Sequence, residues 1–548
     1  MKKIVECVPN FSEGGDSSVL NAISAEISMV PDVVLLDVDP GKATNRAVFT
    51  FVGPPNSVAE AAFRAIQRAA DLIDMRKHRG EHPRMGATDV CPFVPVSNVT
   101  MEECVEIARK VGERVGRELK IPVYLYEKAA SKPNRRSLAN IREGEYEGLE
   151  KKLADPEWSP DFGPAEFKAR SGATAVGARE FLIAYNVNLN TRDKKLAHEI
   201  ALRIRETGRT QKTNGEKIHV PGLLPGVRAV GWTIAEYGCA QVSINLLDYH
   251  VTPPHIAFET CREEAKKLGL RVTGSELVGL IPKEALLMAG RYYLDKQGKS
   301  PGLPESELAH IAIRSLGLSE LSPFDVRQKV IEYKISAGKE SLMELTTRAF
   351  IDEVSSDSPA PGGGSVAALC GALSAALGAM VANLTVGKKG LESNWNAMKS
   401  SAVMGQELKE WFMDAVDEDA AAFNRVMEAF RKPGKSPEEK KIKEQQVGQA
   451  TKEATEVPLR VLEHSLRVLG VVAEVAQKGN PNSLSDAGVA ALCARTCAEG
   501  AYLNVLINLS SLKDAAWVDT TRRKATSLRS EVVEKSTRIV SDIERRIL

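Results

Sequence analysis

The first third of the chain alternates short strand-like runs with longer runs whose apolar positions recur every three or four residues. Residues 2–11, 32–41, 46–53, 87–96 and 121–129 carry period-two alternation or a short continuous apolar stretch and read as strands. Between them, 17–28, 56–75 and 100–119 follow the 3.6-residue period of an amphipathic helix. Thr100 and Glu103 open the last of these in the pattern of a capping box. The order is βαββαβ with additions, which predicts helices layered on one sheet.

A comparable order follows. Residues 181–190 read as a strand, 194–208 as a helix, 227–236 and 239–249 as strands, 254–269 as a helix and 271–281 as a strand. The Pro/Gly-rich stretch 219–226 reads as a loop. This order suggests a structural repeat, although no residue-level repeat accompanies it. Beyond residues 334–341 the strand patterns cease and long helical patterns take over, at 396–430, 453–479 and 486–511 and in a charged final helix. The expected fold is therefore multidomain: two α+β, βαββαβ-like sandwich subdomains at 1–180 and 181–328, a linker at 329–340, and an all-α antiparallel helix bundle at 341–548.

Composition alters this picture little. With 43% hydrophobic and 26% charged residues among 548, the chain can bury more than one core. Its net charge of +1 gives no reason to expect nucleic acid or an anionic membrane as partner. The eight cysteines are scattered, without CxxC or a zinc-ligand spacing, so core thiols, a reducing cytoplasmic setting and no metal are expected. The uncharged run from Ser365 is long enough to cross a membrane. Its Ala, Gly and Ser content suits a closely packed soluble helix better, so no membrane association is expected.

Several stretches could carry chemistry. In "RKHRGEHPRMGATD", His82 falls on a loop between a helix and a strand, where it is either a solvated histidine or a proton carrier at neutral pH. His78, at the helix end, reads as a cap or surface residue. Asp39 ends a strand of alternating apolar and acidic residues and either orients a partner or begins the Pro40–Gly41 turn. The segment from Gly163 through Pro164, Lys168 and Arg170 to Gly172 can wrap an anionic or planar ligand, or simply link elements. Gly363 and Ser365 lie at a glycine-rich helix start that serves anion binding or close packing. On a helix, Asp419 has Ala415, Val416, Ala422 and Phe423 three and four residues away. That apolar face directs its carboxylate toward the core, where burial raises its pKa. It is either a tuned acid–base or a bonded core aspartate. Asp486, with Asn480, Asn482 and Ser485, caps another helix or forms a second wall of the same site.

Long strings at these positions resemble the bifunctional formimidoyltransferase-cyclodeaminases over nearly the whole chain. They include "IVECVPNFSEGG", "LIDMRKHRGEHPRMGATDVCPFVPV", "GATAVGAREFLIAYNVNLN", "APGGGSVAAL", "VDEDAAAF" and "GNPNSLSDAGVAA". The resemblance implies transfer of the formimidoyl group from N-formimidoyl-L-glutamate to tetrahydrofolate, followed by cyclodeamination to 5,10-methenyltetrahydrofolate and ammonia, in histidine degradation. It implies His82 as the transferase histidine, Gly163–Gly172 as a folate-binding segment and Asp419 as the cyclodeaminase aspartate; the chemistry of the first step then offers Asp39 as a partner to orient His82. It further implies homo-oligomers and a polyglutamylated folate as co-substrate. The alternatives are cyclohydrolase activity in the bundle, a formyl donor for the first part, or a non-catalytic folate-binding scaffold. The 208–232 stretch looks longer than in animal members, which predicts an altered loop.

Overall fold

The computed structural model describes residues 3–41, 45–80, 83–213, 216–234, 237–336, 341–433 and 436–548. It divides into two compact units, residues 1–286 with 316–337, and 287–315 with 338–548.

Strands β1 (Ile4–Cys7), β2 (Asn10–Phe11), β3 (Val34–Gly41), β4 (Arg46–Gly53), β5 (Thr88–Ser97), β6 (Val123–Glu127) and β7 (Thr174–Ala178) form one seven-stranded sheet. β7 runs parallel to β5 and β6, while the β1–β5 pairings are antiparallel. Helices Ser17–Ser28, Pro55–Leu72 and Met101–Arg114 cover one face. The second is amphipathic at helical spacing, burying Val58, Ala61, Ala62, Ala65, Ile66 and Ala69. Pro55 at its first position has a φ already suited to a helix. The third carries the expected capping box: Glu103 N–H donates to Thr100 Oγ1 (3.2 Å) and Thr100 N–H to Glu103 Oε2 (3.0 Å). Phe11, Phe49, Phe51 and Phe93 fill the core under these helices.

The same plan returns after residue 182. Strand β8 (Ile183–Leu189), the hairpin β9 (Arg209–Thr213) and β10 (Glu216–Val220), and strands β11 (Val227–Ile234), β12 (Cys239–Leu246) and β13 (Val272–Val278) follow in turn. The four-stranded antiparallel sheet runs β11-β12-β8-β13. In the first sheet the corresponding neighbours are β3-β4-β1-β5. The repeat is thus one of topology, carried by hydrophobic alternation and strand order without matching residues. The β9–β10 hairpin corrects the expectation of a loop throughout 219–226; His219 and Val220 pair with Thr210 and Arg209.

In the second unit, helices Gly363–Asn383, Trp395–Arg431, Pro437–Lys478, Leu484–Leu509 and Ala515–Ile547 pack together through short connections. Gly363–Asn383 is the one described helix long and apolar enough to cross a membrane, and 61% of its apolar window is buried. Its small residues serve close approach to neighbouring helices. A Cβ on Gly371 would meet the Phe412 ring at 2.5 Å, and one on Gly405 would meet Ala379 Cβ at 2.9 Å.

The expected boundary at 329–340 needs correction in two respects. Val326–Lys329 and Ile331–Ser336 are helical, with Val330 and Ile331 fully buried, so most of the supposed linker is packed structure. Residues 287–315 belong with the helical unit, since Gly302 packs on the Ala402 backbone and Asn383 Nδ2 donates to its carbonyl (2.7 Å).

Candidate active sites

Strand parity builds the first site. In β1, Val5 and Cys7 point into the core beneath the helices, so Glu6 faces the opposite side of the sheet. By the same alternation β3 presents Asp37 and Asp39, β4 presents Arg46, and β5 presents Val90 and Pro92 to that side. Arg228 of β11 and Asn245 of β12 complete a cavity of about 470 Å³, to which Arg142 and Arg179 also contribute. Four arginines and three acids therefore share one space. Arg142 Nη2 bonds the carboxylate of buried Asp89, whose other oxygen accepts from Met85 N–H (3.0 Å). Arg142 Nε is buried with no partner among the described residues. Burial, reinforced by Arg142, lowers the Arg46 pKa, while Asp89 and Asp39 oppose that shift.

Glu6 is the most deeply placed of the acids, 1% exposed, and its Oε2 has no hydrogen-bond partner among the described residues. Desolvation pushes its carboxyl up to about 8, against the pull of Arg179 and with a small push from Glu332. Asp39, expected from sequence as an orienting residue, does line the cavity, exposed near the end of β3.

His82 lies outside the described residues, but its surroundings are built firmly. His78 is buried, which corrects the expectation of a cap or surface histidine. Arg84 Nε donates to its Nδ1 (3.2 Å), so the proton sits on Nε2 and is given to the Asn45 carbonyl (2.8 Å). The Arg84 guanidinium also binds Glu145 (2.8 Å) and Glu147 (2.6 Å). Asn45 Nδ2 reaches the Arg79 carbonyl (2.7 Å), tying His78, Arg79 and Arg84 to the residue that precedes β4.

The Gly163–Gly172 segment packs beside this loop and does not line the cavity. Gly172 bridges to Gly86 and has φ 66°, and a Cβ on it would fall only 2.1 Å from the Met85 carbonyl oxygen. Gly163, with φ 80°, lies as tightly on the Ile121 carbonyl. Both glycines are thus explained by backbone crossing backbone. Pro164 and Lys168 are half-buried, Lys168 lies 3.5 Å from Glu166, and exposed Arg170 reaches the Asp71 carbonyl.

The second site lies where two helices of the bundle meet. Asp419 projects from Trp395–Arg431 onto the first turn of Gly363–Asn383. Ser365 Oγ donates to its Oδ2 (2.9 Å). Gly364 has no side chain there because a Cβ would fall 2.2 Å from Asp419 Oδ1. Burial raises the Asp419 pKa, and the Ser365 hydroxyl and backbone N–H pull part of the way back. Its helical neighbours Ala415, Val416 and Ala422 are buried as the phase predicts, whereas Phe423 is 37% exposed. The glycine-rich helix start thus holds a carboxyl group supplied by the chain itself. Ser365, expected at a ligand, positions Asp419, while Gly363 lies beside Asn504.

A cavity of about 780 Å³ in the same unit, which Asp419 does not line, has Asp417, Ala420, Ala421 and Asn424 on one side and Ala360 and Pro361 on another. Asp417, which helical phase alone does not single out, accepts from Ser341 Oγ (2.7 Å) and Leu342 N–H (2.8 Å). Asp486 is not a second wall of this site. Gly363 lies by Asn504 while Ser374 bonds the Ala490 carbonyl, so the two helices run antiparallel. Asp486 is therefore displaced from Asp419 by roughly 20 Å along the helix axis, at 1.5 Å per residue.

Comparison with known proteins fits this division. Residues 4–179 match the family described as the formiminotransferase domain, N-terminal subdomain, 184–336 the formiminotransferase domain, and 346–527 formiminotransferase-cyclodeaminase. A formimidoyltransferase-cyclodeaminase from Rattus norvegicus is 45% identical over 548 residues, covering 100% of both chains. A glutamate formimidoyltransferase from Streptococcus pyogenes is 45% identical over 54% of this chain and 94% of its own. A methenyltetrahydrofolate cyclohydrolase from Methylorubrum extorquens is 35% identical over 37% of this chain and 97% of its own. With end-to-end relatedness on top of two separate polar sites, the chain belongs to the formimidoyltransferase-cyclodeaminase family.

Proposed function

We propose that the chain transfers the formimidoyl group of N-formimidoyl-L-glutamate to N5 of tetrahydrofolate in its first unit. The helical unit then cyclodeaminates 5-formimidoyltetrahydrofolate to 5,10-methenyltetrahydrofolate and ammonia. One observation carries this reading: a chain related end to end to such enzymes holds a 470 Å³ cavity with four arginines, suited to the carboxylates of the glutamyl donor and of folate.

In the first step N5 attacks the amidine carbon and loses a proton, and the departing glutamate nitrogen gains one. His82 serves both transfers, and Asp39 at the cavity orients it. In the second step N10 attacks the same carbon, and the proton leaving N10 must reach the departing nitrogen before ammonia is expelled. Asp419, with a raised pKa and one Ser365 bond, is suited to take that proton and return it. The Gly163–Gly172 segment, bridged through Gly172 to Gly86, borders folate on that side. We further propose a polyglutamylated co-substrate, a homo-oligomer and a cytoplasmic setting.

The test follows methenyltetrahydrofolate absorbance and free ammonia together, from N-formimidoyl-L-glutamate and tetrahydrofolate. Wild type is expected to make both products, His82→Ala neither, and Asp419→Ala only 5-formimidoyltetrahydrofolate. Donor consumption without ammonia favours the second reading, cyclohydrolase chemistry in the helical unit, which the 35% identity to a methenyltetrahydrofolate cyclohydrolase supports. No donor consumption by wild type defeats the transferase assignment.

A further inference from the structure

The transferase cavity has a charge problem that its arginines do not solve. The donor carries two carboxylates, but its reacting group is an amidine, which is a cation at neutral pH. A cation placed among Arg46, Arg142, Arg179 and Arg228 needs a counter-charge held out of water. Three described acids line the cavity. Asp39 is exposed and Asp37 partly so, whereas Glu6 is buried within the sheet among the lining residues, and its Oε2 has no hydrogen-bond partner among the described residues. An unpaired carboxyl oxygen in a buried site is costly, and no described neighbour uses it. An amidinium presents paired N–H donors that match a carboxylate as one planar group matches another.

We propose that Glu6 is the anchor for the formimidoyl amidinium, pairing as a carboxylate with the nitrogen that travels with the transferred group. The inference deepens the transferase reading and rests on it. His82 handles the nitrogen that departs, and Glu6 holds the one that stays, before and after transfer. Binding is an exchange of charge. Glu6 enters protonated, the amidinium enters charged, and the pair forms as one proton leaves Glu6 for solvent.

The groups facing Glu6 support that sign. Arg179 favours the carboxylate, Glu332 opposes it, and burial dominates, so that the acid form prevails at pH 7 in the empty cavity. Asp37 and Asp39 face the same space from β3 and favour the acid form. Arg46, Arg142 and Arg228, from β4, the short helix Leu138–Arg142 and β11, favour the carboxylate. Tyr126, from β6, stays neutral because burial raises its pKa.

Calorimetry of N-formimidoyl-L-glutamate binding without tetrahydrofolate, in buffers of different ionisation heat, tests this directly. Wild type is expected to release close to one proton per donor at pH 7, and progressively less above pH 8. N-formyl-L-glutamate, whose formamide is the uncharged isostere of the amidinium, is expected to release none and bind at least about 10-fold more weakly. Glu6→Gln keeps the shape of the protonated side chain and should fold. It is expected to release no proton from this site and to raise the KM for the donor roughly 10- to 100-fold, with the KM for tetrahydrofolate within about 2-fold. Glu6→Asp should restore part of the proton release and of the donor affinity.

Wild-type turnover without proton release overturns the inference and leaves the transferase reading intact. So does a Glu6→Gln variant that still prefers the formimidoyl to the formyl compound by the wild-type ratio. Absence of wild-type turnover removes both.

Discussion

The two units each bury a carboxyl group, and the contrast between them shows what sets its acidity. Glu6 and Asp419 are both pushed upward by burial. Glu6 stands in a cavity of full charges and receives no hydrogen bond on Oε2 from the described residues, so burial prevails and its pKa reaches about 8. Asp419 stands among alanines, but the Ser365 hydroxyl and the first turn of a helix donate to it, so its shift is partly reversed. Burial sets the direction, and donors to the carboxyl oppose it. A site awaiting a cation benefits from withheld donors, whereas a site that passes a proton on benefits from a group that is neither locked on nor locked off.

The comparison breaks most severely at Gly364. Gly364→Val places carbon where Asp419 Oδ1 now lies, forcing the carboxylate aside. The deaminating step is expected to fall by about 100-fold or more while formimidoyl transfer persists, read from ammonia release against donor consumption. Equal loss of both would show that Asp419 does not act separately.

Next in size is a stability effect of Glu6. Its folded pKa, raised from 4.5 to about 8, means that the native state holds a proton the unfolded chain releases between those values. The contribution is fully present below about pH 4.5 and is lost as pH rises toward 8. Glu6→Gln removes that dependence, so its stability relative to wild type should grow from pH 5 to 8, by on the order of 4 kcal/mol over the window. Denaturant titrations at several pH values check this, and a difference independent of pH would contradict it.

The smallest effect sharpens the contrast from the other side. Ser365→Ala removes a donor from Asp419 and makes it more like Glu6. The acidic limb of the pH–rate profile for the second step should move upward. An unmoved limb would mean that the hydroxyl does not act on the titrating group.

The positions most legible in the sequence are those whose chemistry is written locally. Asp419 is marked by residues within one helical turn, because helix phase alone fixes which way its side chain points. The Thr100–Glu103 capping box forms for the same reason. His78 defeats a local reading because its partners, Arg84 and the Asn45 carbonyl, lie 6 and 33 residues away along the chain. Ser365 does stand at a helix start, but its partner lies 54 residues along the chain. Asp486 falls away from the site because helix direction inverts which end of a neighbour each residue meets.

The transferase cavity shows the limit most clearly. Alternation in "IVEC", "LLDVDPG" and "RAVFTFVG" already puts Glu6, Asp37, Asp39 and Arg46 on the faces opposite their cores, a signal that by itself points to no site. What the sequence determined by itself is periodicity: which residues form strands and helices, and which face of each is polar. Only the tertiary structure decided that the polar face of β1, β3 and β4 is covered by residues of a second sheet, making a cavity of what would otherwise be a wetted surface. Periodicity is a property of neighbouring residues. Burial, and with it acidity, depends on chain that arrives from more than a hundred residues away.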